Sequence, residues 1–111
     1  MLLAMNTSSS GCLDDISPAV LERMAQILRL LAHPQRLKII DFLDRQGESP
    51  VHAIMEALEV PQSVASLHLN QMKRVDLVAA ERRGKEVWYR IADPRSLTIL
   101  NCIRGKGGKA V

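Results

Sequence analysis

The chain is expected to fold as a mainly α domain with a small β-hairpin (α+β). Three observations predict this class. Apolar residues recur at helical spacing through most of residues 17–74. Two of those helical segments are joined by about three residues, Glu59-Val60-Pro61. The stretch Leu77–Ile91 then changes to short β-branched and aromatic runs around Gly84. At 111 residues there is room for one domain, two at most.

Each element has its own signal. Residues 1–16, with Ser8, Ser9 and Ser10, show no period and read as a flexible arm. Ser17-Pro18 is an N-cap followed by proline at the first helical position. Val20, Leu21, Met24, Ile27, Leu28 and Leu31 then share one helical face, opposite Glu22, Arg23, Gln26 and Arg29. Ala25 and Leu30 lie off that stripe, as in a helix covered on more than one side. His33-Pro34 starts a second amphipathic helix through Leu37, Ile39, Ile40 and Leu43, which Gly47 ends. Ser49-Pro50 repeats the cap signal before a short third helix with Val51, Ile54, Met55 and Leu58. The fourth helix is expected from about Gln62 to Arg74.

Leu77-Val78-Ala79 and Val87-Trp88-Tyr89-Arg90-Ile91 read as two strands around the turn Arg82-Arg83-Gly84-Lys85, a hairpin with a basic tip. Of Trp88 and Tyr89, which alternate, at least one is expected in the core. Asp93-Pro94 caps a last helix carrying Leu97, Ile99, Leu100 and Ile103. The Gly/Lys-rich stretch 105–111 reads as a disordered basic tail. The order describes a winged helix-turn-helix of about five helices and a two-stranded wing, occupying residues 17–104.

Composition narrows the function. Aromatics are only 3%, which excludes a base-stacking single-strand binder. No apolar run is long enough for a membrane span. Met1–Met5 is apolar but short and lacks a basic n-region, so no signal peptide is expected, and Met5 offers an alternative start. A cytoplasmic protein with reduced Cys12 and Cys102 follows. The net charge of +3 is unevenly spread: residues 1–61 balance to −3 and residues 62–111 to +6, a basic face suited to a polyanion. No Ser/His/Asp spacing, phosphate-binding glycine loop or paired carboxylate suggests an enzyme.

Three stretches carry a family resemblance: Leu31-Ala32-His33-Pro34-Gln35-Arg36-Leu37-Lys38-Ile39-Ile40, then Pro61-Gln62-Ser63-Val64-Ala65-Ser66-Leu67-His68-Leu69, then Leu77-Val78 through Arg82-Arg83-Gly84-Lys85-Glu86-Val87-Trp88-Tyr89-Arg90-Ile91. In this order and spacing the chain resembles the ArsR/SmtB family of winged-helix repressors over roughly Leu21–Ile103. The resemblance implies a homodimer through the first and last helices, bound to double-stranded operator DNA and released by a chemical signal. It departs at two points: Asp76 stands where the family has Gly, and Leu67 where it has Arg or Gln facing DNA. Asp tolerates the left-handed backbone such a helix end needs. A winged-helix protein-interaction module without DNA binding is the alternative that Leu67 and the modest charge favour.

On the fourth helix, Ala65, Leu69 and Met72 define the buried side, and Ser63, Leu67, Asn70 and Arg74 point away, flanked by Ser66 and Gln71. Gln62, Ser63 and Ser66 suit bases or phosphates, Asn70 an adenine edge, and Leu67 a thymine methyl. His68, at the flank of the apolar face, suits either a packed role or a phosphate contact and is counted with the DNA-facing set. Arg82, Arg83 and Lys85 are expected on phosphates. His33 suits a cap or a packing role. His52 lies where metal-sensing relatives place paired cysteines, but its counterpart is Pro50, and the last helix has no histidine for the family's other site. No metal or cofactor is therefore expected. Cys12 and Cys102 form a candidate thiol sensor, with Arg104 and Lys106 favouring the thiolate at Cys102. One core cysteine and one idle cysteine is the plainer reading beside it.

Overall fold

The computed structural model describes residues 15–105. In chain order these form α1 (Pro18–Leu31), α2 (Pro34–Gln46), β1 (Ser49–Pro50), α3 (Val51–Leu58), α4 (Gln62–Arg74), β2 (Val78–Arg83), β3 (Glu86–Ile91) and α5 (Arg95–Arg104). The five helices and the hairpin stand in the expected order.

Local chemistry sets most boundaries. Ser17 Oγ accepts the Val20 N–H at 3.2 Å and starts α1, with Pro18 at its first position. His33 Nδ1 accepts the Gln35 N–H at 3.1 Å and starts α2, so the histidine is a cap. Gly47, at φ +80°, ends α2 by donating to Leu43 O at 2.8 Å. Before α5, Asp93 Oδ1 accepts the Arg95 N–H at 3.0 Å, which makes Asp93 the cap the sequence suggests.

Two expectations change. Ser49-Pro50 is not a side-chain cap: Ser49 Oγ donates to Gly47 O, and Pro50, the residue before α3, offers no side-chain acceptor. The pair instead forms a short strand on the hairpin, Ser49 opposite Tyr89 and Pro50 opposite Trp88. The wing is thus a three-stranded antiparallel sheet in the order β1-β3-β2. Strands β2 and β3 also run further than the apolar residues alone predict. Arg82 pairs with Val87 and Arg83 with Glu86, which leaves Gly84 and Lys85 to turn the chain. Gly84 takes φ +63°, a conformation suited to the first central position of a tight hairpin.

The core joins Ile27 and Leu31 of α1, Ile39, Ile40 and Leu43 of α2, Ile54 and Leu58 of α3, and Leu69 and Met72 of α4 to Leu77, Val78, Tyr89 and Leu100. Tyr89 is the core aromatic; Trp88 lies half-buried on the other face of the sheet. The α1 stripe is only partly used. Ile27 and Leu31 are buried, whereas Val20, Leu21 and Leu28 are 41%, 44% and 51% exposed. Ile103 of α5 is 62% exposed. Off the stripe, Ala25 is exposed and Leu30 half-buried, so the uncovered apolar surface of α1 lies chiefly on the stripe itself. Among the described residues no helix is long and apolar enough to cross a membrane.

Candidate nucleic-acid interface

Helices α3 and α4 meet through a three-residue turn whose geometry comes from one residue. Glu59 takes the left-handed conformation, φ 58°. Its N–H donates to Glu56 O and that of Val60 to Met55 O, both at 3.2 Å, closing the end of α3. Pro61 then opens α4 in extended conformation with no side-chain acceptor over the first turn. The N-terminus of α4 keeps unpaired donors and the positive end of its dipole, a natural seat for a phosphate oxygen.

The exit of α4 is as defined as its entry. Asp76 takes φ 63°. Its N–H donates to Lys73 O and that of Leu77 to Met72 O, each at 2.9 Å. Asp thus holds the left-handed turn where the resemblance expects Gly, and the chain passes straight from α4 into the sheet.

Ala65, Leu69 and Met72 face the core as the 100° spacing predicts. Gln62, Ser63, Leu67, Asn70 and Arg74 are exposed, Leu67 by 54%. Ser66 and Gln71 flank them, half-buried. Of its two expected roles, His68 takes the packed one, not the outward one. It is 6% exposed, its ring meets His33 edge-on with centroids 4.5 Å apart, and its Nδ1 accepts Arg36 Nε at 3.1 Å. Burial, then the charges of His33 and Arg36, push its pKa below the usual 6.5. Its position at the margin of the apolar face leaves both roles open to the sequence alone. Arg36 also donates to Gln71 Oε1 and to Leu30 O, so it braces the inner flank of α4.

The wing divides its basic residues. Arg82 and Lys85 are exposed and carry no ion pair among the described residues. Arg83 is different. Its guanidinium pairs with Glu48 at 2.7 Å and Glu81 at 2.9 Å, and lies 4.7 Å from the Trp88 ring centroid. Its charge is met by carboxylates of the chain itself, which sets it apart from Arg82 and Lys85.

The remaining candidates lie elsewhere. His52 Nδ1 is 2.8 Å from Glu86 Oε2, joining α3 to the wing. Cys102 is exposed on α5, so it is not a core cysteine; Cys12 lies outside the described residues. Arg104, expected to act on Cys102, pairs with Asp41 and Asp44 of α2. Arg23 was expected on the solvated side of α1; it is half-buried and hydrogen-bonded to Asp93, Gln26 and the carbonyls of Val75 and Asp76.

Residues 33–80 match the model of a family described as bacterial regulatory protein, arsR family. The HTH-type transcriptional repressor SmtB of Mycobacterium tuberculosis is 42% identical over 93 residues, 83% of this chain and 68% of that one. The transcriptional repressor PagR of Bacillus anthracis is 39% identical over 83 residues, 75% of this chain and 83% of that one. The crystal structure of PagR matches with a TM-score of 0.71, covering 78% of this chain and 99% of that one. A solution structure from Mycobacterium bovis, of a homodimeric winged helix-turn-helix DNA-binding domain, matches at 35% identity with a TM-score of 0.67, covering 78% of this chain and 79% of that one.

Proposed function

The chain belongs to the arsR family of bacterial regulatory proteins, and from that premise we propose that it is a homodimeric transcriptional repressor that binds duplex operator DNA. The observation that carries the reading is the outer side of α4. Ser63, Leu67, Asn70 and Arg74 are left uncovered by the chain's own fold, next to a wing bearing Arg82 and Lys85. In the proposed complex α4 enters the major groove. Gln62, Ser63 and Ser66 serve the phosphates and bases near its N-terminus, with Leu67, Asn70 and Gln71 further along and Arg74 at the far end. Arg82 and Lys85 reach the flanking backbone.

Homodimerisation is supported by the M. bovis domain and by the uncovered Val20, Leu21, Leu28 and Ile103. The proposed interface combines α1 and α5, within a dimerising DNA-binding domain of residues 17–104 flanked by an N-terminal arm and a basic tail. A two-fold dimer suits an inverted repeat with half-sites about one helical turn apart. The protein acts where the DNA is, in the cytoplasm. Release from DNA is assigned to a chemical signal, with Cys12 and Cys102 as the candidate thiols. Peroxide or arsenite should then release DNA from the wild type and not from the Cys12→Ser/Cys102→Ser variant.

Selection of bound sites from random duplex DNA tests the central reading. An enriched inverted repeat is the expected result; no enriched duplex would exclude the proposal. With the selected site, replacing Arg82 and Lys85 by Ala should reduce the salt slope by about one unit per lost phosphate contact. Arg83→Ala should change that slope far less.

A further inference from the structure

We infer that Arg23 and Arg36 are positioning residues that fix α4 to α1, and so set the half-site spacing the dimer accepts. This rests on the proposed reading of the chain as a dimeric DNA-binding repressor.

Helix α1 packs chiefly on α2, yet two guanidinium groups link it to α4. Arg23 projects from α1 itself. Its Nε donates to Asp93 Oδ2 at 3.1 Å, and one terminal nitrogen to the same oxygen at 2.9 Å and to Asp76 O at 3.4 Å. The other terminal nitrogen donates to Gln26 Oε1 at 2.9 Å and to Val75 O. All five guanidinium donors therefore have an acceptor. Val75 and Asp76 are the C-terminal cap of α4, where exposed carbonyls favour a cation. Asp93 in turn caps α5 through its other oxygen. One half-buried side chain thus joins the first half of α1, the end of α4 and the beginning of α5.

Arg36 makes the second link. It bonds Leu30 O near the end of α1, and His68 and Gln71 in the middle of α4. Two attachments along α4 add to the core packing of Leu69 and Met72 in fixing its direction as well as its place. Both lie at or beyond the middle of α4, leaving the exposed Gln62, Ser63 and Leu67 of its first half uncovered. If α1 and α5 form the dimer, the angle between the two recognition helices is transmitted through these bonds. Lysine would keep the charge at position 23 but not the planar fork that meets several acceptors at once.

The test uses the full-length dimer and the duplex selected by the wild type. Inserting two base pairs between the half-sites turns one relative to the other by roughly 70°. The wild type should lose most of its specific binding. Arg23→Gln and Arg36→Gln should bind the natural spacing about three- to thirtyfold more weakly and suffer a smaller penalty from the insertion. Arg23→Lys provides the same comparison should Arg23→Gln fail to fold. A second readout needs no operator: spin labels at Asn70 of both protomers, in a Cys12→Ser/Cys102→Ser background, should give a broader distance distribution once Arg23 is replaced. Variants that remain dimeric by light scattering with the wild-type spacing penalty and distance width would overturn the coupling alone. Failure of the wild type to enrich any duplex would overturn the functional reading and this inference with it.

Discussion

Leu67 stands in the middle of the exposed face of α4, between residues suited to polar contacts. An aliphatic group there has little to offer a phosphate, but it matches the 5-methyl group of thymine. Replacing the thymines of the selected half-site one at a time by uracil should weaken binding at one position by about 1 kcal/mol, roughly fivefold. Leu67→Ala should abolish that difference; a wild type indifferent to every thymine methyl would remove Leu67 from base recognition. His68 yields a prediction of the opposite kind. Its folded pKa lies below 6.5, so its stabilising contribution is full above that pH. As pH falls below 6.5 the unfolded chain takes up a proton that the folded chain resists, and stability declines. Urea midpoints should therefore drop between about pH 7.5 and about pH 5.5, and less so in His68→Gln. The outward residues Ser63, Leu67, Asn70 and Arg74 were legible from spacing alone. The choice between a packed and a phosphate-touching His68 was not, because it depends on His33 and Arg36, which reach it from distant parts of the sequence.

Helix ends were the most legible elements where a side chain or a glycine makes them. Ser17, His33, Gly47 and Asp93 all act within two to four residues along the chain, so their signals are local. Strand β1 could not be read in this way. Two residues have no period, and Ser49-Pro50 resembles a cap until β3 lies beside it. The left-handed ends at Glu59 and Asp76 give a direct test of element energetics. Asp76 carries both the cost of a side chain in that conformation and a negative charge near the C-terminus of α4. Asp76→Gly should stabilise the fold by up to about 1 kcal/mol, read as a higher urea midpoint. A β-branched residue such as valine at the same position should destabilise it. Equal midpoints for all three would mean that the turn imposes no conformational cost.

Across the whole molecule, the order of helices and wing followed from periodicity, while the surfaces left uncovered did not. The sequence places Val20, Leu21 and Leu28 on one stripe with Ile27 and Leu31, and nothing in the spacing separates the two groups. Only the packed chain shows that α2 and the core take one part of that stripe and leave the other. If the remainder forms the proposed two-fold interface, charges there should prevent assembly without damaging the protomer. Leu21→Asp/Leu28→Asp should scatter light as a monomer, retain its helical circular dichroism, and lose affinity for the inverted repeat. A variant that stays dimeric would place the interface elsewhere. The uneven charge has a related meaning: the excess of basic residues falls in the half that contains α4 and the wing, the parts proposed to meet phosphates.

The packing of Arg83 on Trp88 also makes the wing optically distinct. Trp88 is the chain's single tryptophan, and it sits half-buried beneath a guanidinium held by two carboxylates. Indole emission from this protein therefore originates in the wing alone. A duplex that disturbs the Arg83 clamp would change both its intensity and its colour, so the native chain carries an internal fluorophore for following the wing in real time, with no dye attached. Comparing that signal with anisotropy from labelled DNA would separate engagement of the wing from binding of the molecule as a whole.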